Sequence, residues 1–189
     1  MAALDAPNLA DLINLEGAFG AYDAGYAGWT CQAEVASSTY QTATGVAVYT
    51  AFRPATPGPS TNVYTVTSTA GATLTANQSL VGLYSLSGST LTQVAVSADN
   101  SVVWAATAGL KNVALASGTL LEDTIYYLGL LCVGTTQPIF RATGANAGLN
   151  GIATNPQAFT LGSGLTTLPA TAAIGSGTAI TQKIHIAIG

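Results

Sequence analysis

Few side chains in this sequence are placed to do catalytic chemistry. The single histidine, His185, alternates with isoleucines near the C-terminus and has no nearby sequence partner for a catalytic triad or a metal site. Glu122 and Asp123 form the one adjacent acidic pair, and with Asp99 they could supply carboxylates to a glycosidase site or a calcium ion. Solvated turn residues are the simpler interpretation of the pair, and a structural or surface role is the simpler interpretation of His185. We therefore predict no catalytic residue and no enzymatic activity.

Metal, cofactor and redox chemistry are equally poorly supported. Cys31 and Cys132 lie far apart and do not match the spacing of zinc ligands. No P-loop, dinucleotide-binding, metalloprotease or serine-hydrolase motif occurs. A single disulfide is one alternative, but the first residues lack the basic region and apolar run of a secretion signal. We expect two buried, reduced thiols on neighbouring strands, no bound metal and no cofactor.

The charge content restricts the class of partner. Charged residues make up 6% of the chain, against about 25% in ordinary globular proteins. The cations Arg53, Lys111, Arg141 and Lys183 are too few and too scattered to neutralise a phosphate backbone, so nucleic acid is excluded as a partner. Polar residues interrupt the uncharged stretch 54–98, so we expect no membrane span. A surface with so little charge suits permanent contacts with copies of itself or with neighbouring proteins.

From Thr30 onward the apolar residues alternate with polar ones, which indicates half-buried strands. The segment 124–133 is apolar on both faces and is expected to be a central strand. At 180–188 the isoleucines share one face, while Thr181, Lys183 and His185 share the other, which predicts a final strand. Trp104 is expected in the core on one of these strands. The other predicted strands are 45–52, 63–67, 79–86, 91–96, 102–106 and 113–116.

Short strands without a long intervening helix predict an all-β, two-sheet sandwich, with a jelly roll as the favoured topology. We assign residues 30–189 to this domain and residues 1–29 to an N-terminal helix and anchoring arm. Asn8 can cap a short helix, after which residues 20–29 are rich in glycine and aromatic residues and are expected to lie outside the sheets. The arm residues predicted to contact a partner are Leu9, Leu12, Ile13, Phe19, Tyr22, Tyr26 and Trp29.

A pattern in the middle of the chain resembles a known class of protein. It comprises TLTANQSLVGLY at 73–84, SADNS at 97–101 before Trp104, YYLGLL at 126–131 and GTTQP at 134–138. Together these resemble β-sandwich domains of minor tail, fibre and head-decoration proteins of phages that infect actinobacteria, over about residues 61–141. The resemblance implies a module on the virion surface. Members of this class are often trimers, and some contribute to host adhesion.

The sequence thus leads to the expectation of a bacteriophage virion structural protein on the particle surface. A capsid decoration protein that docks through its N-terminal arm is favoured. Its expected partners are other copies of the chain, in a homotrimer, and the major capsid protein. The alternative is a tail fibre or minor tail protein that binds host-surface carbohydrate, with Tyr22, Tyr26, Trp29 or Trp104 stacking on sugar rings. A β-sandwich hydrolase is the third class. The expected location is the virion surface, after assembly in the host cytoplasm.

Overall fold

The computed structural model describes residues 26–31, 36–55, 57–121, 124–144 and 155–189. Antiparallel strands make up most of this part of the chain, which confirms the predicted all-β sandwich. The elements are β1 Gly28–Trp29, β2 Ser38–Gln41, β3 Ala47–Phe52, β4 Gly58–Thr69, β5 Ala72–Leu74, β6 Leu80–Ser87, β7 Thr90–Val96, α1 Ser101–Ala105, β8 Gly109–Leu121, β9 Tyr126–Leu131, β10 Gly134–Thr136, β11 Ile139–Ala142, β12 Ala158–Leu161, β13 Thr171–Ala173, a 3-10 turn at Ile174–Ser176, β14 Thr178–Ala179 and β15 Ile186–Ile188.

Eight of these strands have the connectivity of a jelly roll. In sheet I the order is β2-β11-β4-β8, and in sheet II it is β3-β9-β6-β7. Along the chain, β2, β4, β8 and β11 belong to sheet I, whereas β3, β6, β7 and β9 belong to sheet II. This alternation produces the two interlocked Greek keys of a jelly roll. The remaining strands extend the two sheets, apart from β5 and β10, which pair with each other.

The first and last described strands extend sheet I. Strand β11 pairs with β4 at Thr67 and Thr69, and β15 pairs with the same edge of β4 at Val63 and Thr65. Strand β15 therefore continues the row that β11 begins, and β1 lies beside β15 as β2 lies beside β11. Sheet I consequently has four rows, formed by β8, β4, β11 with β15, and β2 with β1.

The main core lies between the sheets. Sheet I contributes Val63 and Ile186, and sheet II contributes Leu83 and Leu128, all fully or almost fully buried. Burying one such side chain stabilises the fold by about 1.5–3 kcal/mol relative to leaving it in water. Trp104 belongs to this core, as the sequence predicts. Its Nε1 donates a hydrogen bond to Thr65 Oγ1 at 3.2 Å, and its ring meets Phe140 edge-on with centroids 5.5 Å apart.

Sheet II is also covered on its outer face, by the part of the chain that includes residues 155–177. Gly82 of β6 lies directly opposite Gly129 of β9. A Cβ at Gly129 would lie 2.9 Å from ring atoms of both Tyr49 and Tyr84, so the absence of side chains lets these rings lie close against the sheet. The Tyr49 ring stacks on Phe159 with centroids 4.9 Å apart. Strand β9 is therefore buried on both faces, as its apolar sequence predicts.

Hydrogen bonds hold the covering segment in place. The Tyr84 hydroxyl donates to the Pro169 carbonyl at 2.9 Å, and the Tyr127 hydroxyl donates to the Pro156 carbonyl at 2.8 Å. Burial raises the pKa of Tyr127 to about 12, so its hydroxyl stays protonated and able to donate at neutral pH. Buried tyrosines of this kind fill space with the ring and fix a backbone segment with the hydroxyl.

The strand predicted at 102–106 is wrong, because Ser101–Ala105 is the helix α1. The Asp99 carboxylate accepts a hydrogen bond from the Ser101 N–H, and the Asn100 carbonyl accepts one from the Trp104 N–H, which closes a helical turn. Ser101 and Trp104 are buried one turn apart, whereas Val102 is 81% exposed. Adjacent valines favour a strand locally, but the burial of Trp104 overrides that preference.

The expectation that residues up to Trp29 lie outside the sheets is also wrong at its C-terminal end. Gly28 and Trp29 form β1, which pairs with β15, and the Ala27 N–H donates to the Ile188 carbonyl at 2.7 Å. Without β1, the outer edge of β15 would present unpaired backbone groups. The helix predicted around Leu9 lies outside the described residues.

Replacing Gly129 with alanine is expected to destabilise the fold by about 1–3 kcal/mol, the usual cost of overpacking a filled core. The added methyl group would press on the rings of Tyr49 and Tyr84. Urea unfolding followed by tyrosine and tryptophan fluorescence measures the change. Gly58→Ala is the matched control, because a Cβ there meets no atom within 4 Å and the residue is also in a strand. Equal stability of the two variants would contradict the role given to the glycine pair.

Candidate functional site

Two of the seven residues predicted to contact a partner, Tyr26 and Trp29, lie within the described residues. The Tyr26 ring packs against Tyr64 of β4 with centroids 5.1 Å apart. Trp29 lies opposite Ala187 of β15, and both aromatic side chains are half-buried. These two residues therefore cover part of the outer face of sheet I of their own chain. The other five, Leu9, Leu12, Ile13, Phe19 and Tyr22, lie outside the described residues.

Residues 1–25 join the sandwich at the same end as the C-terminus. Strand β4 runs from Gly58 to Thr69, and β15 pairs with the first half of this strand, so Gly28 and the C-terminal Gly189 both lie beside that half. The Gly189 N–H donates to the Asn62 carbonyl at 3.0 Å. We call this end, where β4 begins, the terminal end.

The opposite end is built from four loops at 42–46, 70–79, 97–108 and 132–138, and we call it the loop end. Backbone hydrogen bonds connect every one of these loops to another. They join Gly45 N–H to the Cys132 carbonyl (3.2 Å), Thr75 N–H to the Val133 carbonyl (2.8 Å), Gly71 N–H to the Trp104 carbonyl (2.9 Å) and Asn100 N–H to the Ser79 carbonyl (2.7 Å). The loop end is therefore a connected surface rather than a set of independent loops.

Asp99 organises this loop end. Its carboxylate accepts hydrogen bonds from the backbone N–H groups of Ser79 and Ser101, each at 3.2 Å, and from the Ser101 hydroxyl. Partial burial alone raises the pKa of Asp99, but the hydrogen bonds from Ser101, Asn77 and Ser79 together lower it below its ordinary value. The carboxylate thus holds two loops together. Glu122 and Asp123, the predicted acidic pair, lie outside the described residues.

Two residues of the loop end have left-handed backbone conformations, which residues other than glycine rarely adopt. Thr73 has a φ of 54° and Asn77 has a φ of 62°. For a β-branched residue such as Thr73, this conformation costs of order 1–3 kcal/mol, which the surrounding structure must offset. Gly134 makes the arrangement possible, because a Cβ there would lie 2.7 Å from the Thr73 carbonyl oxygen. The exposed side chains around this point are Thr73, Thr75, Asn77, Thr135 and Thr136.

Cys31 and His185 lie side by side, with Sγ and Nδ1 3.9 Å apart. The Nδ1 atom is also 2.8 Å from the Cys31 carbonyl oxygen. Since a carbonyl can only accept, Nδ1 carries the hydrogen in that contact and has no lone pair free to take the thiol proton. Burial raises the pKa of Cys31 to about 11, so the thiol stays protonated at neutral pH. This geometry does not activate the cysteine as a nucleophile.

Charges and aromatic rings are distributed in a way that bears on ligands. Across the described ranges, Asp99 is the one acidic residue, and no group of His, Cys, Asp and Glu there could hold a metal ion. Within the same ranges every Trp, Tyr and Phe side chain is buried or half-buried. This part of the chain therefore has no exposed aromatic ring that could stack on a sugar.

Comparisons with known proteins assign no family. No protein-family model matches the sequence, and no curated protein matches it significantly. Among the helices of the described part, none is long and apolar enough to cross a membrane.

The loop end was not predicted as a unit, although some of its signals can be read from the sequence. Asp99 followed by Asn100 and Ser101 is a turn signal that also starts a helical turn. The bonds between loops that are distant in sequence, such as the one from Gly45 to Cys132, depend on the jelly-roll connectivity and have no local signal.

The Asp99→Asn variant is expected to be less stable than the wild type at neutral pH, because an amide accepts fewer and weaker hydrogen bonds than a carboxylate. The pKa of Asp99 is lower in the folded chain than its ordinary value of 3.8. Its stabilising effect is therefore complete above that value and is lost as the pH falls below it towards the folded-state pKa. Urea midpoints of both proteins between acid and neutral pH measure this. A difference that is the same at every pH would contradict the assigned role.

Both cysteines are expected to be free thiols. Cys132 is buried just after β9 of sheet II, whereas Cys31 is half-buried beyond the end of β1 of sheet I, and neither forms a disulfide. The expectation that both are buried on neighbouring strands is therefore wrong. Burial raises the pKa of both thiols, so a thiol reagent should react slowly with the native protein at mildly alkaline pH. In denaturant both should react at once. An unfolded chain that has no reactive thiol before reduction would overturn the expectation.

Proposed function

We propose that this chain is a structural protein of a bacteriophage virion, located on the particle surface as a capsid decoration protein. The observation that supports this most is the polarity of the sandwich, with the attachment point of residues 1–25 at one end and a connected loop end at the other. Jelly rolls occur in viral capsid proteins, lectins and cupins, so the fold alone does not select a function. The resemblance over residues 61–141 favours the virion.

The composition of residues 1–25 suits an anchor. They include Leu9, Leu12 and Ile13 at the spacing of one helical face, together with four acidic residues and no lysine or arginine. An isolated helix of fewer than about 12 residues is marginal in water, so the apolar face of this short predicted helix requires a surface to bind. The acidic residues favour a basic partner surface and make attachment weaker at high salt.

The proposed partners are other copies of the chain, as a homotrimer, and the major capsid protein. The proposed location is the surface of the particle, after assembly in the host cytoplasm. A structural role without catalysis agrees with the geometry of the titratable groups described above, since Asp99 bonds to loop backbones and His185 bonds to the Cys31 carbonyl.

A second candidate is a tail fibre or minor tail protein that binds host-surface carbohydrate. The loop end favours it, because exposed hydroxyl and amide groups such as those of Thr73 and Asn77 can bond to sugars and are held on a connected scaffold. The buried positions of the described aromatic rings favour decoration instead. Glycan-array binding by the purified protein separates the two, since decoration alone requires none.

Attachment is tested with a full-length triple variant, Leu9→Asp, Leu12→Asp and Ile13→Asp. We expect this variant to remain folded and to bind particles that lack the wild-type protein at least about tenfold more weakly than the wild type does, a loss of about 1.4 kcal/mol. Co-sedimentation with particles at two salt concentrations measures binding. Val102→Asp at the exposed loop end is the matched control and should bind normally. Full binding by the triple variant would contradict the anchor.

A truncation that begins at Tyr26 provides a second measurement. It keeps β1 and the packing of Tyr26 on Tyr64, so the sandwich is expected to fold and to lose particle binding. A truncation that begins at Thr30 also removes β1 and should have a lower melting temperature than the truncation that begins at Tyr26. Particle decoration at full occupancy by the first truncation would overturn the proposal.

A further inference from the structure

The first described residues of the chain lie on the outer face of sheet I. Ala187 of β15 points to this face, because the isoleucines on either side of it point into the main core, and it is only 1% exposed. Trp29 lies opposite Ala187 in the strand register, and the Tyr26 ring packs on Tyr64 of β4 with centroids 5.1 Å apart. The chain therefore already covers β15 at Tyr26 and reaches as far as β4.

Beyond Tyr64, the described residues leave the same face uncovered across three strand rows. Leu110 is 61% exposed and lies opposite the half-buried Val66, so two apolar side chains meet there. We call this part the open face, and its outward side chains are Asn62, Val66 and Ser68 on β4, Leu110, Asn112, Ala114 and Ala116 on β8, and Ile139 and Arg141 on β11.

Charge complementarity favours the preceding residues of the same chain as the occupant of the open face. Arg141 is the one charged side chain on this face, and it is exposed. Asp99, the one acidic residue in the described ranges, bonds to loop backbones instead. Residues 1–25 contain four acidic residues and no lysine or arginine. Their charge is thus opposite to that of the face.

Residues 17–25 also have the length and the composition to cover the open face, although they lie outside the described residues. Nine residues in extended conformation span about 30 Å, whereas the outer two of three strand rows are about 10 Å apart. The segment reads GAFGAYDAG, in which glycine and alanine allow the backbone to lie close to a sheet. Phe19 and Tyr22 provide the aromatic area that such a contact buries.

We infer that the open face binds residues 17–25 of the same chain, with the rings of Phe19 and Tyr22 on its apolar side chains. The small area of the face is sufficient for this contact, because β1 holds the segment beside the face and a short tether gives an effective concentration in the millimolar range. Leu9, Leu12 and Ile13 remain available to bind the particle. The inference concerns the free protein and does not depend on attachment to a virion.

The test measures how well the open face is protected in the full-length protein. Ala114→Cys places an exposed thiol on this face, whereas burial makes both native thiols slow to react. Mass spectrometry follows alkylation by iodoacetamide, which is uncharged. We expect alkylation at least about tenfold slower than in the same variant carrying Phe19→Ser and Tyr22→Ser, which corresponds to a segment bound about nine-tenths of the time.

Val102→Cys at the loop end is the matched control, because Val102 is 81% exposed and does not belong to the open face. Its alkylation rate should be the same with and without the two serine changes. Equal rates for Ala114→Cys in the two backgrounds would overturn the inference. Protection that rises with protein concentration would also overturn it, because the segment of a second copy would then be the occupant.

The contribution of charge is measured with Arg141→Gln in the same assay. We expect this change to weaken the protection of Ala114→Cys, and added salt to weaken it only while Arg141 is present. Protection that is independent of both would overturn the charge argument for this occupant. Should Ala114→Cys unfold, as shown by its circular dichroism, Asn112→Cys replaces it as the reporter. No particles are used, so a failure here leaves virion attachment to the co-sedimentation experiment.

Discussion

The architecture depends on one constraint, which is that the central strands of sheet II must be buried on both faces. Every residue of strand β9, YYLGLL, is buried. The sandwich covers one face, and the other requires a further layer from the same chain. The opposed glycines Gly82 and Gly129 admit the rings of Tyr49 and Tyr84 against the sheet. Those rings support Phe159 and the segment around Leu168. After forming that layer, the chain returns to sheet I as its last strand.

That return determines the polarity of the molecule. Because β15 runs along β4 and β1 pairs with β15, the first described residues and the C-terminus both lie beside the first half of β4. The loops of the jelly roll that contain Asp99 and Thr73 gather at the opposite end. The proposed anchor at one end and the connected loops at the other would suit a protein that is attached to a particle and faces outward. Of the two outer faces, the chain itself covers the one on sheet II more completely.

The sequence predicts the fold well where the local pattern and the tertiary environment agree. The double-sided apolar run at 124–133 identifies β9, and alternation identifies β3, β6 and β7 to within two residues at each end. Local preference fails at 102–106, where adjacent valines indicate a strand but burial of Trp104 produces a helix. It also fails for β2, whose sequence STYQ carries little apolar signal and whose position is fixed by pairing with β11. Strand β1 is only two residues long and is defined by the edge of β15.

The candidate surfaces were harder to foresee than the fold. The bonds of Asp99 to Ser79 connect residues 20 positions apart, and no spacing in the sequence indicates them. How far the outer face of sheet II is covered depends on the path of residues 155–177. The sequence predicts Tyr26 and Trp29 as aromatic residues of an arm, whereas their packing on β4 and β15 depends on the edge of the last strand, which β1 pairs with.

The central claim, that the sandwich is attached to a virion by its terminal end, is tested most directly by electron cryomicroscopy of purified particles. The particles are those of the phage to which the proposal assigns this chain. The account predicts density for the jelly roll on the particle surface, with the beginning of β4 towards the shell and the loop that contains Asp99 pointing outward. Particles that lack the protein, or density with the loop end against the shell, would contradict the account.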